Sequence, residues 1–281
     1  MAMSQSQRMQ CMEVWGGNQG IDRDLKTTGL DVCVYSQPYA TAQSGGDVYY
    51  VSSCASGRIT RLLLADVSGH GDPVSDRAEF LRKLMRKNIN IIDQSTLVTA
   101  INGEFAADCN TGMFATALIG TFFQPTRTLS ISNAGHPTPL IYRAQSKTWQ
   151  ELTETSANRP ENRHFPLGIA LDQNYSEFRT KLSQGDLVLW FTDGLTEMQC
   201  QDGSQLGQTR LLQVLADIDV PHSRSVIHDL IDRISPKQSE VNKSDDVSLI
   251  SFQLNGEKSS LVDNSLAPFR VLSDWFSRDP K

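Results

Sequence analysis

The sequence predicts a layered α+β fold: a sandwich of mostly antiparallel sheets covered by helices. Three observations predict it. Short segments of alternating or continuous apolar character recur along the chain, punctuated by turns that carry Gly, Pro and Asn. Two pairs of stretches with apolar residues at helical spacing interrupt them, one pair mid-chain and one late. Strands that follow one another without a helix between them pair as antiparallel neighbours, and the helical stripes need a sheet face to cover.

In chain order, residues 1–24 are polar and glycine-containing, and are expected to form a loose arm. Residues 25–254 are expected to form a single domain, followed by a tail over 255–281. The alternation in "DVCVYSQP" predicts a strand. "GGDVYYVSSCASGRITRLLLADVS" predicts a hairpin that turns at Ala55-Ser56-Gly57. A helix is expected over 74–88, where Phe80, Leu81, Leu84, Met85 and Asn88 share helical spacing. A second is expected over 95–107, with Leu97, Ile101 and Phe105 on one face behind an Asp93 or Ser95 cap. "GMFATALIGTFFQPTRTLSISNAGHPTPLIYR" gives three strands, with turns at Gln124-Pro125-Thr126 and from Asn133 to Pro139. Residues 144–163 read as a polar surface excursion. "YSEFRTKLSQGDLVLWFTDG" predicts a further hairpin, turning at Gln184-Gly185-Asp186. Helices over 208–217 and 223–234 come next, the latter with a stripe of Val226, Ile227, Leu230, Ile231 and Ile234, and "DDVSLISFQL" closes the series as a strand. Stripes of this kind are core faces rather than cofactor boxes. The tail, with "LAPFRVLSDWF", is open to docking as a short helix or to contact with a partner.

Composition narrows the function. The net charge of −6 argues against a nucleic-acid or anionic-membrane binder, which needs a basic surface. No apolar run approaches the ~18 residues that span a bilayer, and "MAMSQSQRMQ" lacks an apolar signal core, so a cytoplasmic protein is expected. The five cysteines are scattered without a C-x-x-C pair, which points to reduced thiols rather than a zinc site or disulfides.

The chemistry lies in acids at strand ends. Asp47 follows Gly45-Gly46 and opens a strand; Asp66 ends "LLLAD"; Asp193 ends "LVLWFTD" and precedes Gly194; Asp245, paired with Asp246, precedes "VSLISF". Any one of them alone is an ordinary turn residue. Aspartate is nevertheless poor in strands, and a carboxylate ending an apolar run costs desolvation unless something compensates it. Several such ends can meet at one edge of a sandwich, where their repulsion is relieved by a divalent cation. All-oxygen donors suit Mg²⁺ or Mn²⁺. In this reading Asp66 is a ligand, and the Gly69-His70-Gly71 turn presents backbone and imidazole to the same site.

The motifs "SGGDVYY", "LLLADVSGHG", "MFATALIGTFF", "ISNAGHPTPLIYR", "FPLGIALD", "LSQGDLVLWFTDGLTEMQCQDGSQLG" and "SDDVSLISF" cover roughly residues 30–253. Together, and in this order, they resemble the metal-dependent protein phosphatases of the protein phosphatase 2C superfamily. More narrowly, they resemble the bacterial branch of sporulation stage II protein E serine phosphatases. The resemblance implies an antiparallel β-sandwich flanked by helices on both faces, in α-β-β-α layers, with two divalent cations (Mn²⁺ or Mg²⁺) at one end. Carried over residue by residue, it implies Asp47, Asp66, the Val67 carbonyl, Asp193 and Asp245 as metal ligands, with Asp66 bridging. Gly46, Gly194 and Asp246 would support them.

The implied reaction is hydrolysis of phosphoserine or phosphothreonine by a metal-activated water, with no phosphoenzyme. His70 is either the general acid for the leaving alkoxide or a turn and water-orienting residue. His136 reads as structural, bonding local backbone, and His164, His222 and His228 as surface residues. After "SGHG" the chain departs from the small residues usual in the family, reading Asp72-Pro73-Val74-Ser75-Asp76, so the next helix is expected to start differently. Arg58, Arg61 and Lys243 are candidate electrostatic helpers, each read first as a solvated surface charge. The implied partner is a phosphorylated regulatory protein, such as a STAS-type anti-sigma-factor antagonist. An inactive phosphoprotein-binding scaffold of the same fold is the competing reading. A nucleic-acid phosphodiesterase is disfavoured by the sequence pI of about 5.4.

Overall fold

A computed structural model describes residues 7–9, 14–39, 42–54, 57–69, 72–108, 112–153, 165–200, 203–234 and 245–257. The strands in chain order are β1 (Gln7–Arg8), β2 (Val14–Gln19), β3 (Ile21–Thr27), β4 (Leu30–Gln37), β5 (Ser44–Cys54) and β6 (Ile59–Val67). Helices α1 (Asp72–Lys87) and α2 (Gln94–Ala107) follow, then β7 (Ala115–Phe123), β8 (Thr128–Ala134), β9 (Leu140–Arg143), β10 (Thr148–Glu151), β11 (Phe178–Lys181) and β12 (Leu187–Phe191). The chain continues through α3 (Asp193–Thr196), α4 (Gly207–Ala216) and α5 (Ser223–Ile234) to β13 (Val247–Leu254).

The strands form two sheets. A seven-stranded sheet runs β1-β3-β4-β13-β12-β9-β10 and a six-stranded one β11-β8-β7-β6-β5-β2. Every strand pair is antiparallel except β1 with β3. Period-2 alternation sorts the side chains into layers. Leu62 and Leu64 of β6 face inward and meet Val188, Trp190, Ile250 and Phe252 from the other sheet in the central core. Leu63 and Ala65 face outward beneath Leu81, Leu97, Ile101 and Phe105 of α1 and α2. On the opposite side, Leu187, Leu189 and Leu249 are covered by Leu211, Leu215, Val226 and Leu230 of α4 and α5. This is the expected α-β-β-α arrangement, with helices on both faces. The α2 cap is also as expected: the Asp93 carboxylate accepts from Thr96 N at 2.8 Å. α1 starts at Asp72 with Pro73 in its first turn.

Three expectations are corrected. Residues 14–24 are not a loose arm: β2 edges the six-stranded sheet and β3 lies inside the seven-stranded one. These strands are polar because edge and half-exposed positions need little apolar surface. Second, β11 and β12 do not form a hairpin, since β11 pairs with β8 and β12 with β13 and β9. The chain changes sheets at buried Asp186, whose carboxylate accepts from Ser183 N, Ala144 N and Arg143 at 2.9–3.0 Å. Third, Arg61 is no solvated charge: it is 1% exposed and donates to Thr121 Oγ1 at 3.0 Å and to the Ile91 carbonyl. The polar excursion also contains an edge strand, β10. Lys243, His164, the Ala55-Ser56 turn and the tail from residue 258 lie outside the described residues.

Candidate active site

Hairpin register brings the first two acids together. In the β5–β6 ladder Asp47 lies directly opposite Asp66. Asp47 shares the inward parity of Tyr49 and Val51, and Asp66 that of Leu62 and Leu64, so both carboxylates continue the central core to its end. The other sheet supplies the rest. Asp193 opens α3 directly after β12 and Thr192, and Asp245 and Asp246 lead into β13.

Hydrogen bonds join the sheets here. Asp246 is the hub: its carboxylate accepts from Gly46 N at 2.6 Å and from Tyr39 N at 2.6 Å. Its own N–H donates to the Asp245 carboxylate at 2.8 Å. Thr192 Oγ1 donates to Asp47 at 2.9 Å and accepts from Ser248 N at 3.0 Å. Gly194 is required by contact. A Cβ there would lie 1.9 Å from the Asp246 carbonyl oxygen. The Val67 carbonyl faces the Gly-Gly-Asp segment, 2.9 Å from where a Cβ on Gly46 would stand.

The electrostatics are those of crowded acids. Burial, then the charge of Asp66, pushes Asp47 well above the usual carboxylate range, although Ser248 and Thr192 donate to it. Burial, then the charges of Asp193, Asp245, Asp246 and Glu197, pushes Asp66 up to about 7. Asp245 is raised by burial and by Asp193 and Asp246, against the backbone N–H of Asp246. Mutual repulsion of this kind shows that acids from both sheets share one region. Among the described residues no group of three His, Cys, Asp or Glu closes by itself into a metal cage. Asp47 and Asp66 face each other beside the Val67 carbonyl. That donor set suits an ion such as Mg²⁺, which keeps several waters and takes one or two carboxylates.

The model of the stage II sporulation protein E (SpoIIE) family matches residues 56–255. The chain belongs to the SpoIIE family. It is 25% identical over 175 residues to the phosphoserine phosphatase RsbU of Bacillus subtilis, an alignment covering 62% of this chain and 49% of RsbU. The chain thus matches about half the length of this curated relative. Its fold resembles the structure of the RsbU and RsbW domains of Rv1364c from Mycobacterium tuberculosis, with a TM-score of 0.66 and 21% identity, covering 92% of this chain and 71% of that one. It also resembles RsbX, solved in complex with magnesium, with a TM-score of 0.60 and 15% identity, covering 84% of this chain and all of that one.

Asp47, Asp66, the Val67 carbonyl, Asp193 and Asp245 come together at one end of the sandwich, alongside Gly46, Gly194 and Asp246. His70 lies outside the described residues; its neighbour Gly69 has φ +114°. His136 is buried, with Nδ1 2.9 Å from Thr116 Oγ1, and Thr116 is the β7 partner of Asp66. Burial pushes its imidazole down to about 3, so it is neutral. Its backbone is clamped by Asn133, which accepts from His136 N and donates to its carbonyl at 2.8 and 2.9 Å.

Sequence reasoning missed three residues. Glu197 is raised by burial and by Asp193 and Asp245. Its i+4 spacing from Asp193 in "TDGLTE" was a usable signal. Thr192 was visible only as the residue before Asp193, and Asn18 lies in the presumed arm. Arg58, read first as a solvated surface charge, is half-buried.

Proposed function

We propose that this chain is a metal-dependent protein serine/threonine phosphatase that uses two divalent cations, Mn²⁺ or Mg²⁺, to hydrolyse phosphoserine or phosphothreonine. The observation that carries the proposal is the convergence of acids from both sheets, whose burial and repulsion lift Asp47 and Asp66. Magnesium in the RsbX structure and the phosphoserine phosphatase activity named for RsbU support the same reading. Asp47, Asp66, Asp193, Asp245 and the Val67 carbonyl would hold the ions. When bound, such ions lower the pKa of water and neutralise phosphoryl charge.

The chain's own residues set the geometry. Thr192 orients Asp47 by its 2.9 Å bond. Asp246 ties Asp245 to the Gly-Gly-Asp segment through its bonds to Gly46 and its own N–H. His70 is the proposed proton donor to the leaving alkoxide, the step that needs a group titrating near neutrality. The proposed substrate is a phosphorylated regulatory protein of the STAS-type anti-sigma-factor antagonist class, met in the cytoplasm. Among the described residues no helix is long and apolar enough to cross a membrane.

The test is phosphate release from p-nitrophenyl phosphate and from phosphorylated STAS proteins, with Mn²⁺ and with EDTA. Activity that requires Mn²⁺ and is lost in Asp66→Asn and Asp193→Asn, with folding retained, is the expected result. Metal binding without turnover on any phosphoprotein would instead indicate the scaffold.

A further inference from the structure

The ladder between β2 and β5 slips where the metal-facing segment begins. Gly17 pairs with Tyr49 and Gln19 with Ser44, so two steps along β2 answer five along β5. The slack contains Gly45, Gly46 and Asp47. On its other edge β5 keeps its pairing, with Asp47 opposite Asp66. A bulge of this kind bends a strand and re-aims its side chains. It also leaves backbone groups without ladder partners, which must be satisfied some other way.

The residue between Gly17 and Gln19 does this. Asn18 is 8% exposed, and its Nδ2 lies 3.2 Å from the Gly45 carbonyl. The same nitrogen lies 3.2 Å from the Ser75 carbonyl and 2.9 Å from Ser75 Oγ, so its two hydrogens are shared among three acceptors. Ser75 Oγ in turn donates to Ser44 Oγ at 2.9 Å. Gly45 is therefore held from one side by Asn18. On the other it abuts Asp246, whose Oδ2 would stand 2.1 Å from a Cβ placed on Gly45. A shift of Gly45 carries Asp47 with it and displaces Gly46 from the Val67 carbonyl.

We propose that Asn18 is a positioning residue for the metal site. Its side-chain amide replaces the missing ladder bond, fixes the bulge that carries Asp47, and ties that bulge to the first turns of α1. The proposal rests on the metal-site reading above. It assigns a role in the site to the chain's own N-terminal segment, which precedes the residues 56–255 matched by the family model.

The experiment is Mn²⁺ binding to the metal-stripped full chain, read from the electron paramagnetic resonance signal of free Mn²⁺. Asn18→Leu and Asn18→Ala are expected to raise the Mn²⁺ dissociation constant roughly tenfold while near-UV circular dichroism stays that of the parent. Ser75→Ala, which leaves the Gly45 bond in place, should weaken Mn²⁺ binding less. Parent-like Mn²⁺ affinity in both Asn18 variants overturns the proposal, even if their thermal stability falls, because Asn18 is then only a structural peg. If Asn18→Leu does not fold, Asn18→Ala, which leaves room for a water, decides the question. A parent chain that binds no Mn²⁺ overturns the metal-site reading first, and this proposal with it.

Discussion

Replacing Gly194 by alanine sets two rules against each other. Gly194 sits inside helix α3 and is not among the glycines with positive φ. Helix propensity alone therefore favours alanine, by about 1 kcal/mol. Packing says the opposite. The new Cβ would lie 1.9 Å from the Asp246 carbonyl oxygen and 3.0 Å from its carbon, where ordinary contact begins at 3.4 Å. The backbone at Asp246 must retreat by about 1.5 Å, the difference between those distances. That retreat breaks the 2.6 Å bonds from Tyr39 N and Gly46 N to the Asp246 carboxylate. Hydrogen bonds to a charged group contribute about 1.5–3 kcal/mol each, so the two together outweigh propensity and leave a net loss of about 2–5 kcal/mol. For a domain of this size that is a fall in Tm on the order of 10 °C. Urea and thermal unfolding of the metal-free variant measure it. A Gly194→Ala protein as stable as its parent, or more so, would refute the argument that Asp246 is pinned between the Gly-Gly-Asp segment and α3.

Three further outcomes are expected. Thr192→Val keeps the shape but removes the donor to Asp47 and the acceptor for Ser248 N, and should cost about 2–5 kcal/mol in urea unfolding. In a double-mutant cycle with Asp47→Asn, the two substitutions should prove non-additive by ~1 kcal/mol or more. Asp66 is raised in the folded state to about 7, far above the ordinary aspartate range, so the metal-free fold loses stability as pH rises from that range through about 7. The stability advantage of Asp66→Asn over the parent should therefore be larger at pH 8 than at pH 5, and added Mn²⁺ should reverse the order at pH 8. His136, lowered to about 3, works the other way. Its contribution is present above pH 6.5 and is lost as pH falls toward 3, and His136→Gln should flatten the acid limb of the unfolding profile.

Much of this was legible in the residues. The helix predicted over 223–234 is α5 to the residue, because its apolar stripe and its flanking polar stretches agree. The β5–β6 hairpin was equally plain, and with it the meeting of Asp47 and Asp66, since register follows from strand length and turn position. Alternation does not reveal which sheet a strand joins. That is why β11 and β12 read as a hairpin: buried Asp186, which turns the chain between layers, looks like any turn aspartate. β2 was hidden for another reason. Its "VWGGNQ" is glycine-rich and polar, and its pairing with β5 is interrupted, so it carries neither strand propensity nor period. Asn18 went unseen with it. Thr192 and Asp246 act through hydrogen bonds to residues more than a hundred positions away, which no local pattern encodes.

The proposed carboxylate ligands divide evenly between the layers, Asp47 and Asp66 at the end of one sheet and Asp193 and Asp245 at the end of the other. Ions held there would bridge the two layers. The bonds from Gly46 N to Asp246 and from Thr192 to Asp47 already cross the same gap, so the fold sets the spacing between the layers before any cation arrives.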